Sequence, residues 1–140
     1  MTTETTDLDS RVLPGIRAIE SDMVALRHRI YAHPELAFEE FVTSDLVAER
    51  LRAWGYAVDR GLGGTGVVGT LKKGTSTRSI GIRADMDALP ILERTGLPYA
   101  SRLEGKMHAC GHDGHTAILL AAAHHLAHDV AFDGTLHLIF

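Results

Sequence analysis

A short segment of the sequence combines one cysteine with several histidines, and both residue types bind metal ions. Cys110 is the single cysteine among 140 residues, and His108, His112 and His115 lie within five positions of it. A thiolate and a neutral imidazole are good ligands for zinc and related first-row ions. Cys110 and His112 are one residue apart in a predicted loop before a helix, so both can converge on one ion. The simpler interpretation is a buried cysteine with solvated loop histidines, because two ligands alone do not make a site.

Two carboxylates strengthen the metal-site interpretation. Asp85 and Asp87 follow a predicted strand over residues 79–84, and α/β folds build their sites at the carboxyl ends of strands. Asp87 can either ligate a metal directly or hold a ligand histidine in the correct tautomer. The alternative is a solvated turn in which Asp85 forms a weak surface ion pair with Arg83.

Hydrophobic periodicity predicts the elements that must position these residues. Two amphipathic helices come first, followed by three short strands, a long loop, an apolar helix and a last strand. Their predicted ranges in chain order are 16–32, 39–54, 56–58, 67–71, 79–84, 86–106, 116–128 and 135–140. Loops as long as this one are usually functional in compact domains. The order predicts an α/β fold with three layers, in which a mixed sheet is flanked by helices.

Some positions carry more specific expectations. Phe41 is expected to face the core, and the apolar run 117–123 is expected to be buried on more than one face. The glycines of residues 63–66 are expected to form a turn between strands, because the Gly-Lys-Ser/Thr ending of a phosphate loop is missing. Three histidines near the end of the last helix are expected to be solvated, namely His124, His125 and His128.

Composition limits the classes of function. The 14 basic and 18 acidic residues give a net charge of −4, and no basic cluster could follow a phosphate backbone, which argues against nucleic acid as a partner. No apolar run reaches the roughly 18 residues of a membrane span. The polar residues 1–10 are unlike a secretory signal. A single cysteine excludes an internal disulfide and favours a reducing cytoplasm.

Four segments of the chain stand in the same order as in a known enzyme family. They are residues 26–36 (LRHRIYAHPEL), 63–68 (GGTGVV), 82–90 (IRADMDALP) and 106–115 (KMHACGHDGH). With them the chain resembles the N-acyl-amino-acid amidohydrolases, the group that contains hippurate hydrolase and the plant auxin-conjugate hydrolases. This group lies within the zinc aminoacylase and carboxypeptidase superfamily. The resemblance extends over residues 27–140.

The resemblance implies a role for each candidate residue. Cys110 and His112 match metal ligands of a site for two divalent ions (zinc, manganese, cobalt or nickel), and Cys110 stands where the wider superfamily has a bridging aspartate. Asp87 matches the aspartate that orients a metal ligand. Asp85 stands where many relatives have a ligand histidine, so it is either close to the metal or structural. His115, on the first turn of the following helix, either contacts substrate or caps the loop.

The resemblance also implies an incomplete site. In the family, the strand that corresponds to residues 135–140 runs into a Pro-Ala-Glu-Glu segment with the general base and a further ligand, and an inserted lid domain forms a homodimer. We therefore expect a disordered tail at residues 1–14, followed at residues 15–140 by the truncated amino-terminal portion of a catalytic domain.

The function expected from the resemblance is metal-dependent hydrolysis of amide bonds in N-acyl amino acids, with no measurable activity in this chain alone. One alternative is a non-catalytic metal-binding or self-associating module. Another is a thiol-dependent protein that uses Cys110.

Overall fold

The computed structural model describes residues 11–140, so the predicted disordered tail lies outside the described residues as far as residue 10. Three helices and four strands follow one another in the predicted order. They are α1 (Pro14–Ala32), α2 (Phe41–Ala53), β1 (Ala57–Leu62), β2 (Gly66–Lys73), β3 (Ser79–Arg83), α3 (His112–His128) and β4 (Gly134–Ile139). The α/β class is confirmed.

The four strands form one mixed sheet with the order β1-β2-β4-β3. β2 pairs antiparallel with both β1 and β4, whereas β3 and β4 are parallel. A parallel pair needs a long crossover connection, and here the connection contains the long loop and α3. β4 therefore lies inside the sheet, with Leu136 and Leu138 buried, and β3 forms an edge.

Helices and sheet share one apolar core. Its most deeply buried members come from every layer of the fold and include Val47, Leu51, Val67, Leu120 and Leu138. No helix within residues 11–140 is both long and apolar enough to cross a membrane.

Several predictions for individual positions are wrong. α3 begins at His112, four residues earlier than predicted, because Gly111 adopts a left-handed conformation (φ 86°) that turns the loop into the helix. Phe41 is the first residue of α2 and is 61% exposed. By contrast, the apolar run 117–123 of α3, expected to be buried on more than one face, has Ala117, Leu119, Leu120 and Ala123 buried and Ile118 69% exposed. His124 is half-buried and packs against Trp54 instead of being solvated.

Backbone pairing fixes the long loop that precedes α3. Leu36 pairs with Ala88 in an isolated parallel bridge, and Leu89 pairs with Met107 in an antiparallel one. Glu35, which precedes the first of these bridges, accepts hydrogen bonds from the amides of Val42 (2.9 Å) and Thr43 (2.8 Å). These amides belong to the first turn of α2, which has no capping side chain of its own. The segment before α2 is thus attached both to that helix and to the loop.

Candidate metal centre

Two chain segments meet at the carboxyl end of β3. Asp85 and Asp87 follow this strand, while His112 and His115 lie on the first turn of α3. Residues three apart on a helix share one face, and the two imidazole rings stack with centroids 5.3 Å apart. The carboxylates and the imidazoles therefore come together although about 25 residues separate them in the chain.

His112 is held in a defined tautomer by Asp87. Its Nδ1 lies 2.8 Å from Oδ1 of Asp87 and 3.0 Å from the backbone carbonyl oxygen of the same residue. Both partners accept hydrogen bonds, so Nδ1 must carry the proton. In the neutral ring the lone pair is then on Nε2, and this atom lies 3.7 Å from Oδ2 of Asp85.

Asp85 is connected to the other side of the cluster. His115 donates from Nδ1 to Oδ1 of Asp85 (2.7 Å), and the hydroxyl of Thr116 donates to the backbone carbonyl of Asp85 (3.0 Å). Burial acts to raise the pKa of Asp85, but the hydrogen bond from His115, together with the positive charge that His112 carries when it is protonated, outweighs it, and the pKa is lowered. Asp85 therefore presents an ionised carboxylate.

Asp85, His112 and His115 each offer one ligand atom, and these atoms lie within 4.8 Å of one another. The lone pair of His112 Nε2 faces the Asp85 carboxylate at a distance too long for a hydrogen bond. Two electron-rich atoms in this arrangement suit a cation between them, and imidazole nitrogen with carboxylate oxygen is a donor set that binds zinc and related ions. The residues present fit a divalent metal.

The cluster differs from the ligand pair predicted at the outset. His112 belongs to it, but Cys110 is an exposed free thiol outside the group of three. Asp85 and His115, the two residues whose roles the sequence leaves open, are its other members. The sequence signal for His115 is its distance of three residues from His112, because histidines three residues apart after a helix-initiating glycine lie on one face of that helix.

Two buried polar groups next to the cluster have no counterpart in the predictions. Asp113 is fully buried at the start of α3, and Arg27 of α1 donates from Nε to its Oδ2 at 2.8 Å. His108 is also buried, burial lowers its pKa, and neither of its ring nitrogens has a hydrogen-bond partner among residues 11–140. An acidic residue in the first turn of a helix is a signal for a helix start. No local pattern reveals that Asp113 pairs with Arg27 of α1.

Comparison with known proteins finds similarity to one peptidase family. Residues 81–140 match the sequence model of peptidase family M20/M25/M40. Hippurate hydrolase of Campylobacter jejuni is 52% identical over 129 residues, which are 92% of this chain and 33% of that protein. Over residues 81–140 the chain thus matches the M20 family. Thermostable carboxypeptidase 1 of Saccharolobus solfataricus is 42% identical over 96% of this chain and 35% of its own length.

A solved structure of an M20 protein has the same fold. The YXEP protein of Bacillus subtilis, described as a dinuclear metal-binding peptidase of the M20 family, superposes with a TM-score of 0.83 at 38% identity. The match covers 89% of this chain and 35% of that one. The chain described here thus spans about one third of the length of the relatives it matches and corresponds to their amino-terminal part.

Proposed function

We propose that this chain forms part of the active site of a metal-dependent amidohydrolase that cleaves N-acyl amino acids or similar small conjugates. The cluster of Asp85, His112 and His115, with Asp87 at the second nitrogen of His112, is the observation that carries the proposal. The name of the Campylobacter relative supports the substrate class, because hippurate is the N-benzoyl derivative of glycine.

The proposed metal centre holds two divalent ions of the zinc, manganese, cobalt or nickel type. Cys110 and His112 are the proposed ligands, and Asp85 and His115 are further donors or substrate contacts. Ions bound there would make water acidic enough to ionise near neutral pH and would polarise an amide carbonyl. Asp87 has a positioning role, because its two acceptors keep the proton of His112 on Nδ1 and leave Nε2 free.

The general base is proposed to come from outside these residues. The carboxylates of Asp85 and Asp87 already accept hydrogen bonds from histidines, Asp85 from His115 and Asp87 from His112. Proton transfer from water to the leaving amine needs another carboxylate within hydrogen-bond reach. We therefore expect the 140-residue chain alone not to hydrolyse N-acyl amino acids. Turnover of hippurate at ordinary enzyme rates with added zinc or manganese would contradict this expectation.

Two further features are proposed for the whole protein. The first is a homodimer, as the family resemblance implies. The second is a reducing, cytoplasmic location, because a cysteine that binds metal must stay a thiolate.

Equilibrium dialysis against zinc tests the metal centre. His112→Ala and Cys110→Ala are each expected to weaken zinc binding by tenfold or more, on the order of the loss of one protein ligand. His33→Ala is the matched control, because it removes an exposed histidine outside the cluster. Zinc binding by His112→Ala equal to that of the wild type would refute the proposed centre, and the same result for Cys110→Ala would remove that thiol from it.

A self-associating module is the second candidate function. All residues of edge strand β3 are exposed, and Ile80 on this strand is 61% exposed. An exposed apolar edge strand is a template for pairing with another chain. Concentration-dependent dimers in sedimentation experiments that disappear in Ile80→Lys would favour this candidate, and a monomer at all concentrations would exclude it.

A further inference from the structure

Phe38 occupies a turn position that favours glycine. The amide of Glu39 donates to the carbonyl of Leu36 (2.9 Å), which closes a four-residue turn with Phe38 at its third position. Phe38 has φ 66°, and it is the one non-glycine residue with positive φ among those described. This is the position of a type II turn that normally takes glycine or asparagine. A large aromatic side chain there costs conformational energy.

Packing does not explain the unfavourable conformation. The Phe38 side chain is 74% exposed, so it contributes little to the core. The neighbouring residues contact the long loop, because Ala88 donates to the carbonyl of Glu35 (2.7 Å) and the side chain of Lys106 forms an exposed ion pair with Glu39 (3.3 Å). Strained residues that the surrounding structure holds in place cluster at ligand sites. The segment that carries Phe38 is thus attached to the segment that carries Asp87, which precedes Ala88.

Phe38 and Asp85 both line a cavity of about 320 Å³. Leu62, which is 55% exposed at the end of β1, also lines the cavity. Arg83 is a further lining residue, and its exposed guanidinium lies 3.7 Å from the carboxylate of Asp85. Small-molecule sites combine apolar walls with a few polar groups in this way.

We propose that Phe38 and Leu62 form a specificity subsite that binds an aromatic or bulky aliphatic group of the substrate beside the Asp85 cluster. The inference rests on the proposed function, since it assigns the apolar part of an N-acyl amino acid to this wall. Contact with such a group covers the exposed Phe38 ring and stabilises the complex through apolar burial. The strained turn then positions the ring at the cavity.

Calorimetric titration of the zinc-loaded chain with N-benzoylglycine and N-acetylglycine tests the subsite. The two ligands share the amide and the carboxylate and differ in the apolar group. The wild type is expected to bind the benzoyl compound about tenfold more tightly, and Phe38→Ala is expected to remove this preference. Phe41→Ala is the matched control, because Phe41 is a similarly exposed aromatic residue three positions away that does not line the cavity.

Phe38→Asn separates ligand contact from a structural role. Asparagine tolerates the left-handed conformation better than phenylalanine, so the thermal midpoint is expected to rise by a few degrees while the benzoyl preference is lost. If Phe38 were needed for folding, Phe38→Asn would lower the thermal midpoint. A lower thermal midpoint for Phe38→Asn together with an unchanged benzoyl preference would overturn the inference.

The outcomes distinguish the subsite from the proposed function. Zinc-dependent binding of both ligands, with the same benzoyl preference in the wild type and Phe38→Ala, would refute the subsite and leave the proposed function standing. No zinc-dependent binding of either ligand by the wild type would count against the proposed substrate class and, with it, the subsite.

Discussion

The carboxylate of Asp87 lies 2.8 Å from Nδ1 of His112, and the backbone carbonyl of the same residue lies 3.0 Å from that nitrogen. One residue therefore supplies two acceptors to one ring nitrogen. The arrangement orients the imidazole and directs Nε2 towards Asp85. A carboxylate partner of this kind strengthens the bond that the other ring nitrogen makes to a cation.

Asp87→Asn is expected to weaken zinc binding by about tenfold, the lower end of the range for partners of metal-binding histidines. The loss is limited because the backbone carbonyl still accepts from Nδ1. Competition with a chromogenic chelator measures the affinity. Asp59→Asn is the control, since it neutralises an exposed carboxylate on β1. Equal affinities for Asp87→Asn and the control would show that the carboxylate does not support the metal site.

Arg27→Met is expected to lower the free energy of unfolding by about 2 kcal/mol, because it leaves the Asp113 carboxylate without its partner. Asp113 is fully buried, whereas the Arg27 side chain is 46% exposed, so water offsets part of the cost. Urea denaturation measures the change. Arg50→Met breaks the exposed pair with Asp22 and should cost at most about 1 kcal/mol.

The double variant Arg27→Met/Asp113→Asn provides a second check on the same pair. Removing the buried charge together with its partner is expected to recover part of the lost stability. If the losses of the single variants Arg27→Met and Asp113→Asn simply add in the double variant, the two residues do not act as a pair.

Local patterns predict most of the fold because helices and strands have different periods. The period-2 pattern predicts β2, β3 and β4 to within two residues, but it ends β1 at residue 58, whereas the strand continues to Leu62. The strand is irregular between Arg60 and Leu62, where the register with β2 shifts. An irregularity of this kind interrupts the alternation on which a sequence-based boundary depends.

The candidate site is predictable only in part, for a physical reason. Asp87 and His112 are recognisable from their motifs, but the pairing of Asp85 with His115 spans 30 residues and depends on how α3 approaches β3. The pairing of Arg27 with Asp113 spans 86 residues. Such contacts result from tertiary packing, which no local period encodes. The role of Cys110 stays a prediction.

Lys73→Met is expected to lower the free energy of unfolding by about 2 kcal/mol. The Lys73 ammonium donates to the carbonyls of Leu126 (2.8 Å), Ala127 (2.9 Å) and Val130 (2.8 Å). It thereby satisfies acceptors at the carboxyl end of α3, where a positive charge also suits the helix dipole. Chemical denaturation measures the loss.

Lys72→Met is the matched control for the Lys73 experiment. Lys72 is the preceding residue on β2, it is exposed, and the substitution removes the same charge and leaves a side chain of the same type. We expect Lys72→Met to change the free energy of unfolding by at most about 0.5 kcal/mol. Similar losses for the two variants would show that net charge, and not the three carbonyl contacts, determines the effect.

Stability is expected to fall on acidification because of His124. Its ring stacks on His128 (centroids 4.3 Å apart) and meets the edge of Trp54 (5.2 Å), and its Nδ1 is buried without a hydrogen-bond partner among residues 11–140. Burial lowers the pKa of His124 from 6.5, as does the charge of His128, while Asp129 and Asp22 act in the opposite direction.

Below pH 6.5 the unfolded chain therefore binds a proton at His124 more readily than the folded chain does. The free energy of unfolding consequently decreases as the pH falls through this value. It levels off below the lowered pKa of the folded chain. His124→Phe keeps an aromatic ring between its neighbours and removes the titrating group. Histidine titrates between about pH 7.5 and about pH 5. Over this range, urea denaturation should show that the free energy of unfolding depends less on pH in this variant than in the wild type. His33→Gln, at an exposed histidine, is the control. Parallel pH profiles for His124→Phe and the wild type would refute the assignment, because the acid sensitivity would then arise elsewhere.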